Sequence, residues 1–345
     1  MKILITNNNL TKRTGSELYV REVAEELMRR GHTVAAYSTF VGALGEIMNQ
    51  EGIQTVDDLA KLSWRPDIIH GQHHLDTMTA LTYFPGVPVV YFCHGWRPWQ
   101  ETPPLHPRIM EYAIVDLLTL KKSIEEHHVP ENDIRLVHNF VDLERFKQRE
   151  SLPEKPKKAL IFNNRAGENN YVSLVRKACD RAGIDLDVVG LATGNQTDKP
   201  EEVLVNYDLV FAVGRSAIEA LAVGAAVVIC NEHGIGPMVT ADNVERLYNF
   251  NFGTSTMYAE VDSELIYEEI NKYAAADSAE LTKKIRSIVS IQKAVDEIEK
   301  IYAEVLKKYK NTKINPEDEA HATSEYLRKI SITLKQKYYE LSKLQ

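Results

Sequence analysis

The chain has 345 residues, with 41 Lys and Arg against 49 Asp and Glu for a net charge of −8, and 44% of it is hydrophobic. That length exceeds what one hydrophobic core usually supports, so two domains are expected. The acidic balance, with no basic cluster interleaved with aromatics, argues against nucleic acid as the main partner. Cys93, Cys179 and Cys230 each lie in an apolar context and read as core thiols of a reducing compartment rather than a disulfide framework.

MKILIT is too short an apolar run for a signal peptide, and no later run has the length of a spanning helix. The expected location is the cytoplasm, with contact at the inner face of a membrane left open. Strand KILIT at 2–6 leads into a helix from about Ser16 to Arg30, opened by Gly15-Ser16. A glycine turn at a helix start offers backbone N–H groups to a phosphate, although one glycine there is often only a turn. Strands follow at TVAAYS 33–38, PDIIH 66–70, VPVVYFC 87–93, AIVDLL 113–118 and IRLVHN 134–139. Apolar on both faces and alternating with helices, they predict a parallel sheet in a doubly wound α/β domain over 1–148.

His70, His73 and His74 follow one strand end, and His94, Trp96, Arg97 and Trp99 follow another. The histidines lack an acidic or cysteine partner at metal-ligand spacing, so no metal site is expected. The tryptophans suit the faces of sugar rings, with a packed loop anchor as the plain alternative. No pair of acid/base carboxylates stands out in this half.

KQRESLPEKPKK, charged and twice broken by proline, reads as a linker, after which the pattern restarts over 157–295. Strands are expected at KALIFNN 158–164, LDVVGLA 186–192, YDLVFAVG 207–214 and AAVVICN 225–231, with helices at about 170–182 and over GRSAIEALAVG. Arg165 lies just past one strand, and Gly214, Arg215 and Ser216 open a helix just past another. Two arginines at carboxyl ends of parallel strands suit a diphosphate, and Gly214 lets backbone approach a ligand. Glu219 is a lone charge in an apolar helix face: either it accepts hydrogen bonds from a ribose diol, or it pairs internally with Arg215 or Arg165. HGIGPMV at 233–239 is expected to begin a further helix.

A helix at 296–312 closes the two-domain pattern by packing back toward the first domain, and 317–345 is an added helical extension. In it Leu327, Ile330, Leu334, Leu341 and Leu344 fall at heptad spacing, interrupted by Lys337. A helix packed along its own protein, self-association, and a partner protein are the open readings.

These segments in order resemble the GT-B glycosyltransferases, specifically the family 4 or glycogen-synthase-like group. TGSELYVREVAEELMRRGHTV is similar to that family's glycine-rich loop and first helix, PDIIHGQHH and VVYFCHG to its histidine-bearing strand ends, and VHNFVDLERF to its Asn-Gly-Val-Asp segment. YDLVFAVGRSAIEALAVGAAVVICNEHGIGPMV resembles its donor-binding segment. The likeness covers roughly 1–310 and implies two Rossmann-like domains facing a cleft.

By that likeness Glu219 holds the donor ribose, Gly15 lies near the diphosphate, Arg165 binds it, and His94 lies beside the transferred sugar. The chain departs from the family at three places: Asn170 stands where a Lys is usual, Phe211 where an earlier Glu is usual, and Thr14 where the first glycine of a pair is usual. The implied activity is transfer of a sugar from a UDP- or GDP-linked donor to a hydroxyl of a glycan, glycolipid or polysaccharide precursor. It would retain configuration, use no metal or other cofactor, and place His73, Trp96 and Trp99 on the acceptor side. The alternatives are a non-catalytic partner subunit and a nucleotide-sugar epimerase.

Overall fold

A computed structural model describes residues 1–12 and 14–343. The chain divides into two compact units, one of Met1–Val115, Thr119–Leu136 and Val295–Gln345, the other of Asp116–Leu118 and Val137–Ala294. The second unit therefore begins at Val137, ahead of the proline-rich segment. Phe146 explains why: it is fully buried in that unit's core.

In chain order the first half comprises β1 (Lys2–Thr6), α1 (Gly15–Arg29), β2 (Thr33–Tyr37), α2 (Ala43–Gln50), β3 (Gln54–Val56), β4 (Ile68–Gln72), α3 (His74–Tyr83), β5 (Val89–Cys93), β6 (Ile109–Ile114), α4 (Leu117–Glu125) and β7 (Ile134–Leu136). The strands form one seven-stranded sheet in the order β3-β2-β1-β4-β5-β6-β7, and every pairing in it is parallel. Every residue of β4, β5 and β6 is buried, as a parallel sheet covered on both faces requires.

β6 corrects the expected strand at 113–118. Arg108 to Tyr112 looks too polar for a central strand because Glu111 interrupts it, but Arg135 on β7 meets Glu111 at 3.1 Å. Paired in this way, the carboxylate is tolerated inside the sheet, while Leu117 and Leu118 belong to α4.

The second half comprises β8 (Lys158–Phe162), α5 (Val172–Ala182), β9 (Asp185–Val189), α6 (Pro200–Leu204), β10 (Leu209–Ala212), α7 (Gly214–Val223), β11 (Ala226–Asn231), β12 (Gly234–Met238), α8 (Val244–Asn249), α9 (Ser263–Ile270), α10 (Ala275–Ile288), α11 (Ile291–Asn311) and α12 (Pro316–Ser342). Its sheet runs β12-β11-β10-β8-β9. Successive residues of β10 point to opposite faces: Val210 joins the core with α7 and α10, and Phe211 joins the core with α5 and α9.

β12 is the second correction, because HGIGPMV starts no helix. Gly234–Met238 returns antiparallel along β11, and the helix α8 begins only at Val244. Pro237 fits there because β12 is the edge strand, where a missing N–H costs the sheet nothing.

Among the described residues no helix is long and apolar enough to cross a membrane. All three cysteines are buried and unbridged. Burial pushes the Cys179 and Cys230 thiols up to about 12, which fits inert core residues.

Candidate functional site

In the second unit, β10 passes through Val213 into α7, whose first residue Gly214 has φ +58 and donates its N–H to the Phe252 carbonyl at 3.0 Å. Only glycine enters that left-handed region without a steric cost. One turn apart on α7, Arg215 Nε donates to Glu219 Oε1 at 2.8 Å, and the two side chains are 13% and 7% exposed. Within the protein, then, a partner of the lone carboxylate is Arg215. Ser216, the next residue of the helix, is half-buried.

Arg165 follows β8 and is 75% exposed, with Nη1 3.3 Å from Glu232 Oε1. Glu232 Oε2 accepts a hydrogen bond from Asn163 Nδ2 at 3.0 Å. Partial burial alone would raise the Glu232 pKa. Its own backbone N–H, Asn163 and Arg165 outweigh that and hold the carboxyl below the usual range, so it is ionised at neutral pH. Asn170 closes its own loop: Nδ2 donates to the Arg165 carbonyl at 2.7 Å, and Oδ1 accepts the Gly167 N–H at 3.1 Å. Phe211 is a fully buried core residue.

In the first unit, Gly15 is the first residue of α1, and a Cβ there would meet nothing within 4 Å. No close approach forces glycine at this helix start. Buried Glu17 accepts hydrogen bonds from the Thr14 and Ser16 hydroxyls, the latter at 3.0 Å. The Glu17 carboxylate is thus held by two hydroxyls at this helix start.

His73 follows β4 with φ 57, an uncommon conformation for a residue with a Cβ. Its Nδ1 accepts the Asn8 N–H at 3.1 Å, so Nε2 carries the proton and donates it to Glu101 Oε1 at 3.2 Å. Glu101 Oε2 accepts the backbone N–H of His94 at 3.2 Å, and the residue is 7% exposed. Burial of Glu101 would raise its pKa, but the His73 bond and the charge and amide around His94 more than compensate and hold it below the ordinary range. Three loops at the carboxyl ends of β1, β4 and β5 are thus joined through one carboxylate.

The His94 ring packs edge-on to Tyr19 at 4.5 Å between centroids. His70 is buried, stacks on Phe92 at 3.6 Å, and hydrogen-bonds the Tyr302 hydroxyl through Nδ1 at 2.6 Å. Burial drives its pKa far down, leaving a neutral core imidazole. Among the described residues no group of three or more His, Cys, Asp or Glu side chains is placed to hold a metal ion.

Both tryptophans are engaged. Trp96 lies 5.1 Å from the Arg97 guanidinium and 5.4 Å from Lys122 Nζ, measured to the ring centroid. Trp99 meets Lys337 Nζ at 5.2 Å and the His74 ring edge-on at 4.6 Å. His74 Nδ1 in turn hydrogen-bonds the Tyr326 hydroxyl at 2.8 Å. Burial lowers the His74 pKa to about 4, with the Trp99 carbonyl acting the other way.

Lys337 and Tyr326 belong to α12, so the C-terminal helix covers Trp99. Asn315 caps that helix by accepting the Glu317 N–H at 3.0 Å, and Glu319 pairs with Arg108 at 2.8 Å. Together α12, the loop at 99–105 and the turn that follows α4 line a cavity of about 280 Å³. The heptad stripe is split: Ile330 lines the cavity, while Leu327, Leu334 and Leu341 are 57%, 56% and 64% exposed. Leu344 lies outside the described residues.

Sequence reasoning missed Glu17, Glu101 and Glu232. Each stands in a polar loop or first turn, where spacing gives no sign of which carboxylate will be buried.

No family model matches the chain, and no curated protein matches it in sequence. Solved structures do match. A glycosyltransferase from Rickettsia africae superposes with a TM-score of 0.66 at 14% identity, over 90% of this chain and 99% of that one. HepE of Anabaena, solved in complex with UDP-glucose, superposes with a TM-score of 0.62 at 12% identity, over 88% of this chain and 100% of that one. Its complex with UDP and glucose superposes with a TM-score of 0.61, at 12% identity and over the same shares. The fold of this chain is that of the GT-B glycosyltransferases: two Rossmann-like α/β units with an added C-terminal helix.

Proposed function

We propose that this protein transfers a sugar from a nucleotide-diphosphate sugar, UDP- or GDP-linked, to a hydroxyl acceptor such as a glycan, glycolipid or polysaccharide precursor. The observation that carries the reading is the set of groups at the carboxyl ends of β8 and β10: an exposed guanidinium at Arg165, the Gly214 turn opening α7, and the Arg215–Glu219 pair behind it. Negative charge builds on the leaving diphosphate as the glycosidic bond breaks. Arg165, Arg215 and the start of α7 at Gly214-Arg215-Ser216 meet that charge, in the role a divalent metal has in other transferases. Glu219 accepts hydrogen bonds from the ribose diol while remaining beside Arg215, whose planar guanidinium carries five donors.

The α1 start at Gly15-Ser16 lies near the diphosphate in this reading, with Gly15 leaving it room. His94 positions the transferred sugar, and His73, Trp96 and Trp99 belong to the acceptor side. Retention of configuration and a cytoplasmic site of action, at or near the inner membrane face, complete the proposal. The fold shared with HepE, which was solved with UDP-glucose, supports a UDP-linked donor.

One observation favours a second reading, a non-catalytic partner subunit. Asn170 is bound into its own loop and Phe211 is core, so neither supplies the charge that the family resemblance implies at those positions. A thermal-shift screen with UDP-, GDP- and ADP-sugars, followed by mass spectrometry for transfer or hydrolysis, separates the two. Stabilisation and turnover are expected. Stabilisation without turnover favours the partner subunit, and no stabilisation by any nucleotide or nucleotide sugar overturns the transferase reading.

A further inference from the structure

Glu232 stands at the tip of a hairpin. Asn231 pairs with Gly234, so the turn between β11 and β12 is Glu232-His233, and the His233 N–H is fixed by Asn231 Oδ1 at 2.8 Å. β10 lies between β8 and β11 in the sheet. Phe211 is in register with Ile161 and Ala212 with Ile229. The hydrogen bond from Asn163, just past β8, to Glu232, just past β11, therefore crosses the carboxyl end of β10, level with the turn into α7. Ligands of open parallel sheets bind at those ends.

The two carboxylate oxygens differ in what holds them. Oε2 is anchored by Asn163 Nδ2 at 3.0 Å, and Asn163 is itself bonded to the Tyr171 hydroxyl at 3.0 Å. Oε1 faces Arg165 at 3.3 Å and His233 at 3.5 Å, whose side chains are 75% and 48% exposed. Glu232 itself is 18% exposed, but both partners of Oε1 are mobile side chains open to solvent, and an ion pair of that kind contributes little, so Oε1 can exchange its partner at small cost. A diphosphate competes well for Arg165, since it carries more charge and accepts two parallel hydrogen bonds. The carboxylate left behind is an acceptor only, it repels phosphate, and it is satisfied by hydroxyl donors.

We propose that Glu232 is the residue by which this protein recognises the sugar of its donor rather than the nucleotide: Arg165 turns to the diphosphate, and Glu232 Oε1 accepts hydrogen bonds from sugar hydroxyls. The proposal rests on the transferase reading above. It gives Glu232 two opposite effects, weakening bare nucleotide by its charge and its hold on Arg165, and strengthening nucleotide sugar by its hydrogen bonds.

The test is calorimetric titration of the wild-type protein, Glu232→Gln and Glu232→Ala with UDP, UDP-glucose, GDP and GDP-mannose. Glu232→Gln keeps an oxygen for Asn163, so the hairpin retains its anchor if the alanine variant unfolds; thermal unfolding without ligand checks both. For the nucleotide that binds, both variants are expected to hold the bare diphosphate as tightly as wild type or a few-fold tighter. The preference for the sugar-bearing form should fall about tenfold. An unchanged preference, or equal loss for both ligands, overturns the assignment of Glu232 while the transferase reading stands. Binding of none of the four to the wild type overturns that reading and this one together.

Discussion

Two carboxylates, one in each unit, have the same chemistry and opposite situations. Glu101 is buried and joins three loops through the His73 ring and the His94 amide, groups that the backbone holds in place. Glu232 has one oxygen anchored by Asn163, and its other oxygen faces exposed side chains. Burial of the partner, His73 at 5% exposed against Arg165 at 75%, separates a strut from an exchangeable contact. Removing one partner of a buried charge network strands the others without water, whereas an exposed pair dissolves into solvent at almost no cost.

The largest effect should come from Glu101→Ala, which removes the carboxylate that the His73 Nε2–H and the His94 N–H donate to. A loss of about 3 kcal/mol in urea unfolding is expected. A loss below about 1 kcal/mol would place Glu101 with carboxylates whose partners are exposed and break the contrast.

Acid should act almost as strongly. The His74 imidazole titrates at about 4 when folded against 6.5 unfolded, so from pH 6.5 downward the unfolded chain takes up a proton that the folded one refuses. His74 should contribute a loss of about 3 kcal/mol between those values, and His74→Gln should reduce the slope, leaving the part due to His106, which burial also lowers to about 4. Glu101 has the depressed pKa of a paired carboxylate, so its contribution is fully present above its ordinary value of 4.5 and is lost only as the pH falls further. A profile that Glu101→Gln leaves unchanged below 4.5 would overturn its place in the network.

Glu219→Ala sits between the extremes. Its partner Arg215 is itself largely buried, so a ligand-free loss of about 2 kcal/mol is expected, with a coupling of about 1 kcal/mol in a double-mutant cycle with Arg215→Ala. Nucleotide binding should weaken as well. No change in affinity would make the pair purely internal. Smallest in stability is Arg165→Ala, within about 0.5 kcal/mol by thermal unfolding, since the side chain is 75% exposed. Its effect belongs to ligand binding, where about tenfold weaker diphosphate affinity is expected.

Much of the architecture was legible in the residues. Runs such as KILIT, TVAAY and AVVICN are apolar on both faces, and between helical segments they form buried parallel strands. Where the reading failed, a polar residue or a glycine misled it. Glu111 disguised β6, and the glycines of HGIGPMV suggested a helix start where β12 forms an edge strand.

At the site, the strand ends that carry Arg165, Gly214, Arg215 and His94 could be located from sequence, because chain order places residues at the ends of strands. The carboxylates Glu101 and Glu232 could not, since each is defined by groups distant in the chain: His73 lies 28 residues from Glu101, and Asn163 lies 69 from Glu232.

The sequence by itself determined the alternation of strands and helices, the two-part division, and the candidates at strand ends, because hydrophobic periodicity and turn residues act over a few positions. Only the tertiary structure decided which charges are spent on the protein itself. Glu232 meets Asn163 and Arg165, Glu101 joins His73 to His94, and α12 covers Trp99. A side chain's partner depends on how strands are ordered and how helices cross, and neither is written in local spacing.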